Sequence, residues 1–459
     1  MQVTIDDFRQ LLGSGGVLAA DDARARRGGI YHEDNIAAQA VLRPRTTDEV
    51  AEILRRCNAA RQTIIVHGGL TNLTHGADTR PADIVLSLER MNVIEEIEPL
   101  GRTMTVQAGV PLQVIQEAAA AHDLMFAVDL GARGSCQIGG NVSTNAGGNR
   151  VIRYGMTRDQ VLGLEAVLAD GTVVPALNRL VKNNAGYDLK QLFIGSEGTL
   201  GVITRLVLRL REQPRSQDVA LVAVRGFDDI PRLLGHMDRS LGGALSAFEV
   251  MWQSFYRLVT TPPARGQPPL SQQHPLYVLL ESQGAEVERD AERFQAALEA
   301  AFGAELIVDA AIAKSVAERR ALWALRDDTA QLYTGGTPIG FDVSLPLAAM
   351  PAYLAQLQRA LDDAVASHRL FTFGHLGDGN LHLAVQVPAE QHEAAKPVVE
   401  ALVYRPLAAI GGSVSAEHGI GLAKKAWLGL SRSATELELM RTLKRALDPK
   451  GILNPGKVL

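Results

Sequence analysis

Gly139-Gly140-Asn141-Val142-Ser143-Thr144-Asn145-Ala146-Gly147-Gly148 places four glycines and four small polar residues within ten positions. Glycine lets a ligand approach the backbone closely and reaches conformations closed to other residues. Successive bare N–H groups form concavities that hold anions, and Ser143, Thr144, Asn141 and Asn145 add short polar side chains. That combination suits the diphosphate and ring edges of a large cofactor. It marks an enzyme whose chemistry is carried by a bound cofactor.

Two more glycine-rich loops belong with it. His67-Gly68-Gly69-Leu70-Thr71-Asn72 follows a strand predicted over 63–66 and runs on to Gly76. Gly195-Ser196-Glu197-Gly198-Thr199-Leu200-Gly201 precedes a strand predicted over 202–210, which contains Ile203. A Gly-Gly pair after a strand is often only a turn, but three such loops in one domain are harder to dismiss. None has the Gly-x-Gly-x-x-Gly spacing between strand and helix, which disfavours a Rossmann dinucleotide site. The cofactor bed is therefore read as 67–76, 129–149 and 195–203.

With 459 residues, two or three domains are expected. A net charge of −5 gives no support for a nucleic-acid partner. Only Cys57 and Cys136 occur, which fits a reducing compartment and excludes a disulfide scaffold. The N-terminus shows no basic region followed by an apolar stretch, and no run has the length of a membrane helix. A cytoplasmic protein is expected, with peripheral membrane association left open.

Residues 1–40 read as a helical, polar surface lead-in. From 41 to 80 the pattern is strand, helix, strand and loop. Its helix opens at Thr46-Thr47-Asp48-Glu49 and carries an apolar stripe at Val50, Ile53 and Leu54. A helix over about 111–122 starts with Pro111 just inside it. Ala169-Asp170-Gly171-Thr172 is a hairpin turn between strands spanning 161–174. The loop at 212–216 marks a domain boundary. Alternating strands and amphipathic helices then continue to about 415, interrupted by an exposed Pro/Gln-rich loop at 261–275.

Three constellations in this second part bear chemistry. His375-Leu376-Gly377-Asp378-Gly379-Asn380-Leu381-His382 reads as strand, Asp-Gly turn, strand, which can bring two histidines onto one face. Taken alone, the pair reads as two histidines capping a hairpin. Ser415-Ala416-Glu417-His418-Gly419 offers a carboxylate that with His375 and His382 would suit a borderline divalent ion with open positions. His418 is then the candidate base. Arg326, after an apolar helical run, could grip a carboxylate substrate in bidentate fashion. By pattern alone an ion pair with Asp327 or another neighbour ranks higher.

At these residues the chain resembles the flavin-dependent oxidoreductases of the vanillyl-alcohol oxidase and para-cresol methylhydroxylase type. It is most similar to their D-2-hydroxyacid dehydrogenases. The likeness runs from about 41 to the C-terminus. It is densest at 129–141, 186–201, 374–382, 416–419 and 448–455, where Asp129, Gly131, Ser135, Asn145, Gly147 and Gly148 fall in or beside the matching cofactor segments.

The resemblance implies an α+β fold: a helical lead-in at 1–35, a two-part FAD-binding domain at 36–213, an antiparallel-sheet cap with helices at 214–420, and a C-terminal segment, 421–459, returning to the FAD domain. Asn454 falls where that tail meets the flavin. The resemblance assigns His375, His382 and Glu417 to zinc or manganese, His418 to the base and Arg326 to the substrate's 1-carboxylate. Thr329 and Asn380 are placed beside the substrate.

The expected reaction is oxidation of a D-2-hydroxy acid to the 2-oxo acid by hydride transfer to FAD. Electrons would pass on to an electron-transfer flavoprotein, a quinone or a cytochrome, and a homodimer is expected. The alternatives are a metal-independent flavin oxidase of another alcohol and a non-catalytic FAD-binding subunit of a larger complex.

The departures from the family pattern carry meaning. Leu70 stands where members with covalent flavin often carry histidine, so FAD is expected to be non-covalent. Gly340 replaces a lysine of the 2-hydroxyglutarate enzymes, and Ala330 replaces a threonine, with Thr329 adjacent. Both changes imply a pocket for a different or less acidic 2-hydroxy acid.

Overall fold

The computed structural model describes residues 4–29 and 32–459. Within the N-terminal lead-in, 1–3 and 30–31 lie outside the described residues. Packing divides the chain into two units. The first comprises Met1–Gly148, Gly155–Gln213 and Glu417–Leu459; the second comprises Asn149–Tyr154 and Pro214–Ala416.

In the first unit, Ala40–Leu42 and Ile64–His67 run parallel to Ile84–Ser87 between them. Ala40, Val41 and Leu42 are all buried, as parallel strands covered on both faces require. The helix Thr47–Ala60 connects the first two strands. Thr46 caps it by accepting the Glu49 amide, and Val50, Ile53, Leu54 and Cys57 are buried. A second sheet is antiparallel throughout, in the order Val173–Ala176, Val161–Val167, Val202–Arg209, Thr103–Gln107, Ile94–Glu98. Its Asp170-Gly171 turn closes with Gly171 at φ 85° and the Thr172 amide on Asp170 Oδ1 at 2.9 Å.

Three local expectations change. The lead-in is not helical throughout: Val17–Ala19 pairs with Ala40–Leu42, and Phe8 of the helix Ile5–Leu12 is fully buried. Phe8 joins the core of this unit, and Ile5, Leu11 and Leu12 of the same helix pack against that core. Pro111 stands at the N-cap of Leu112–Ala120 in extended conformation, one step before the helix begins. The cap segment was read as running to 420, but the units divide between Ala416 and Glu417. The reason is Glu197, whose carboxylate accepts the Ile420 and Gly421 amides at 2.7 and 2.8 Å.

The C-terminal tail extends the parallel sheet. Leu453 bridges Ile64 in parallel register, with the Ile64 amide on the Ile452 carbonyl at 2.8 Å. Asp448 fixes the approach by accepting the Ile452 and Leu453 amides. Lys444 donates to the carbonyls of Thr199 and Leu453, both at 2.8 Å.

The second unit is built on a seven-stranded antiparallel sheet. Its order is Asp309–Ile312, Ser216–Val224, Leu276–Gly284, Leu245–Trp252, Arg369–His375, Asn380–Val387, Thr337–Ser344. The helices Gln253–Thr260 and Val316–Asp327 share a core with it, in which Phe255 stacks on Phe373 at 4.2 Å between ring centroids. Residues 261–275 form no regular element and are mostly exposed, but Leu270 is buried and tied to the Tyr256 hydroxyl. Asn149–Tyr154 belongs to this unit although it lies inside the run read as 36–213. Arg150 and Tyr154 explain the assignment, bonding to Glu281 and Gln283.

Candidate functional site

The first unit holds a cavity of about 320 Å³. Of the residues read as cofactor-binding, it is lined by His67, Gly68, Gly69, Leu70, Thr71, Asn72, Gly76, Gly131, Gly139, Gly140, Asn141, Ser143, Thr144, Gly147, Glu197, Gly198, Gly201, Ile203 and Asn454. Asp129, Ser135, Asn145 and Gly148 do not line it. Asp129 pairs with Arg133, and Asn145 Oδ1 accepts the Arg158 amide. Glu417 and His418 also line the cavity, with Glu417 Oε1 accepting the Gly148 amide at 2.9 Å.

Close backbone approach explains two of the glycines. A Cβ on Gly69 would sit 2.1 Å from the Ser135 carbonyl oxygen, and one on Gly139 2.6 Å from Ala108 Cβ. At Gly140 a Cβ would meet nothing within 4 Å, so that position opens onto the cavity. Leu70, Glu197 and Asn454 line the cavity at φ 56°, 52° and 41°. Left-handed non-glycine residues cost on the order of 1–3 kcal/mol each and cluster where function requires them.

Several polar side chains serve the backbone rather than face a ligand. Ser143 and Thr144 donate to the Gly139 and Gly140 carbonyls. Asn454 accepts the Val66 amide at 2.9 Å and donates to the Glu197 carbonyl at 2.6 Å. Burial pushes the Glu197 carboxyl up, against the pull of the Ile420 and Gly421 amides. His67 is buried with Nε2 2.8 Å from the Ala77 carbonyl oxygen. Burial pushes its imidazole down to about 4, and the Ala77 carbonyl offsets only part of that. In contrast, Gln137 Oε1 and Asn141 Oδ1 are buried in the cavity wall with no hydrogen-bond partner among the described residues. Buried acceptors of this kind call for a donor, and a flavin ring edge or ribose supplies donors. Cys136 and Gln137 lie inside the segment 129–149 read as part of the cofactor bed, although the sequence does not single them out there.

The second unit carries the imidazoles. His375 ends its strand opposite Glu249, while His382 lies opposite Phe373 and Asp342. The two rings are 5.2 Å apart, so the hairpin does bring them together. His375 Nδ1 lies 2.6 Å from Glu249 Oε1, and its Nε2 lies 3.2 Å from an Arg326 terminal nitrogen. The carboxylate only accepts and the guanidinium only donates. Nδ1 therefore carries the proton and Nε2 presents its lone pair.

Arg326 points inward, not to Asp327. It is 5 % exposed, with Nε on Glu249 Oε2 at 2.7 Å and its guanidinium over the Phe373 ring. Burial alone would raise the Glu249 carboxyl; His375 and Arg326 outweigh it and hold the group well below the usual carboxylate range. Asn380 is buried and donates to Asp342 Oδ1 at 2.7 Å, while its own Oδ1 has no hydrogen-bond partner among the described residues. Thr329 is exposed, at the start of a 3-10 turn. Glu249 was missed in the sequence. Its only signal is an acidic residue inside the apolar strand Leu245–Trp252.

A glycine-built cavity beside a parallel sheet, together with an antiparallel-sheet unit, is the architecture of a flavin-binding oxidoreductase. Residues 38–176 match the family model described as FAD binding domain, and 213–458 match FAD linked oxidases, C-terminal domain. The chain is 41% identical to a D-2-hydroxyglutarate dehydrogenase of Xanthomonas citri pv. viticola, over 91% of this chain and 89% of that one. It is 42% identical to the mitochondrial D-2-hydroxyglutarate dehydrogenase of Bos taurus, over 92% and 77%. In fold it is similar to p-cresol methylhydroxylase, with a TM-score of 0.78 at 17% identity over 99% of this chain and 95% of that one. It is likewise similar to alkyldihydroxyacetonephosphate synthase, with a TM-score of 0.74 at 16% identity over 99% and 85%. The chain belongs to the FAD-linked oxidase family and is an FAD-linked oxidoreductase.

Proposed function

We propose that the protein oxidises a D-2-hydroxy acid to the corresponding 2-oxo acid, using FAD and a divalent cation. The observation that carries this reading is the buried His375–Glu249–Arg326 arrangement, which sets an imidazole lone pair beside a carboxylate-binding guanidinium. The names of the relatives at 41% and 42% identity put D-2-hydroxyglutarate first among the substrates to test.

The donor chemistry fits a cation. In His375 the lone pair is on Nε2, where it now accepts from Arg326 at 3.2 Å and where a cation would take that donor's place, and His382 is its neighbour. Two imidazoles with one carboxylate suit zinc or manganese. Glu417 is proposed as that carboxylate on the sequence resemblance. Such a cation supplies Lewis acidity that lowers the pKa of a hydroxyl. FAD, when bound, supplies the two-electron acceptor.

The chain's residues do the rest. Arg326 clamps the substrate's 1-carboxylate and fixes which face of C2 is presented. A ring nitrogen of His418 takes the hydroxyl proton as the C2 hydrogen departs with its electron pair. Glu197 braces the backbone just after His418 through the Ile420 and Gly421 amides. At Gly340 a Cβ would meet nothing within 4 Å, so this position supplies neither charge nor bulk. A less acidic 2-hydroxy acid therefore competes with the dicarboxylate as the preferred substrate. Electrons then pass to an electron-transfer flavoprotein, quinone or cytochrome.

The test mixes metal-replete protein anaerobically with D- and L-2-hydroxy acids while the oxidised-flavin absorbance is followed, with a chelator-treated control. Bleaching by a D-acid that chelation abolishes supports the reading. Bleaching by none of the acids, with FAD and metal present, overturns it.

A further inference from the structure

We infer that Glu249 is a positioning residue that serves the metal ligand and the substrate clamp at once, through different oxygens. The inference rests on the function proposed above and assigns a role to a residue that proposal does not use chemically.

Oε1 of Glu249 is committed to His375 Nδ1 at 2.6 Å and Oε2 to Arg326 Nε at 2.7 Å. The side chain is 1 % exposed, so water does not compete for either oxygen. A buried carboxylate is costly unless its partners compensate it, and here each partner is a residue with its own proposed function. The geometry is imposed by the sheet. Glu249 and His375 are direct register partners on adjacent antiparallel strands, so the ladder sets their spacing. Arg326 comes from the helix Val316–Asp327, where Leu322 and Leu325 are buried beside it. A carboxylate on the far nitrogen of a ligating imidazole fixes its tautomer and raises its basicity. The same carboxylate holds Arg326 at Nε, which orients the two terminal nitrogens of the guanidinium.

The experiment compares wild type with Glu249→Gln and Glu249→Asp, each carrying FAD. Zinc affinity is read by competition with a chromophoric chelator. Binding of 2-oxoglutarate is read as a perturbation of the flavin spectrum at saturating zinc. Glu249→Gln is expected to weaken zinc by about 10- to 100-fold and to weaken 2-oxoglutarate as well, with FAD content and far-UV circular dichroism unchanged. If Gln does not fold, Asp, which keeps the charge but withdraws it by one methylene, is expected to show the same paired loss. A merely structural role would lower stability without moving zinc affinity in the folded fraction. Wild-type zinc affinity in a folded Glu249 variant overturns the inference alone. A wild type that takes up no zinc overturns the proposed function and the inference together.

Discussion

Arg150 donates from Nε to Oε1 of Glu281 across 2.9 Å, and that carboxylate is fully buried. Ser246 donates to the same oxygen at 2.8 Å, while Gln217 and Trp323 donate to Oε2 at 2.7 and 3.0 Å. One charge thus ties together three strands, the helix that bears Arg326 and the segment that follows the glycine-rich run. Removing the guanidinium strands the carboxylate. Arg150→Ala is expected to cost about 3 kcal/mol or more of stability. Glu281→Gln should cost less, because an amide still serves some of the donors. Urea unfolding measures both. A loss below about 1 kcal/mol for Arg150→Ala, the level of an exposed pair, would show that the pair is not what neutralises Glu281.

Gly140 separates cofactor binding from folding. It lies inside the helix Ile138–Ser143 and opens onto the cavity. Alanine is favoured over glycine in a helix by about 1 kcal/mol. Gly140→Ala should therefore leave the FAD-free protein as stable as wild type or slightly more so. Its methyl group, however, would occupy space expected to hold flavin, and FAD affinity should fall at least about tenfold, worth roughly 1.4 kcal/mol. Thermal melts of FAD-stripped protein and FAD titration read the two effects separately. Unchanged FAD affinity would remove Gly140 from the cofactor wall.

His67 predicts an acid limb of stability. Its folded-state value is pushed down to about 4 by burial, below an unfolded value of about 6.5. Between these values the unfolded chain binds more protons than the folded one, so stability rises with pH across that window. The contribution is fully present above about pH 6.5, is lost as pH falls toward 4, and totals about 3 kcal/mol. His67→Gln, which keeps an N–H donor for the Ala77 carbonyl without a titrating ring, should flatten this limb. Urea midpoints at several pH values from 7 to 4.5 provide the check. Parallel slopes for the two proteins would place the acid sensitivity elsewhere.

What the sequence disclosed followed from local chemistry. The Asp170-Gly171 turn, the Thr46 cap and the His375–His382 hairpin were legible because their signals lie within ten residues of one another. Arg326 was legible only by resemblance. Its partner Glu249 stands 77 residues away, and pattern alone ranks an ion pair with Asp327 or another neighbour higher. Glu281 and Arg150, 131 residues apart, left no periodic trace. An acidic residue in an apolar strand looks like an interruption until the partner strand is known. The transfer of Asn149–Tyr154 to the second unit was hidden for the same reason, since long-range pairing decides it.

His382 tests whether the imidazole pair is a metal site or a packed pair. Its ring lies 5.2 Å from that of His375 and 5.1 Å from that of Phe373. Truncation therefore removes both a candidate ligand and some aromatic packing. The cavity proposed to hold FAD is lined by described residues of the first unit, so His382→Ala is expected to keep its FAD. Zinc content should fall from about one equivalent, the number one such ligand set holds, to near zero, and D-2-hydroxy acid oxidation should fall with it. His392→Ala, on the helix His392–Tyr404, is the control and should retain zinc. Zinc measured by mass spectrometry after dialysis, alongside flavin absorbance, decides the matter. A His382→Ala protein with wild-type zinc and FAD would leave the hairpin as packing alone and return the search for the metal to other residues.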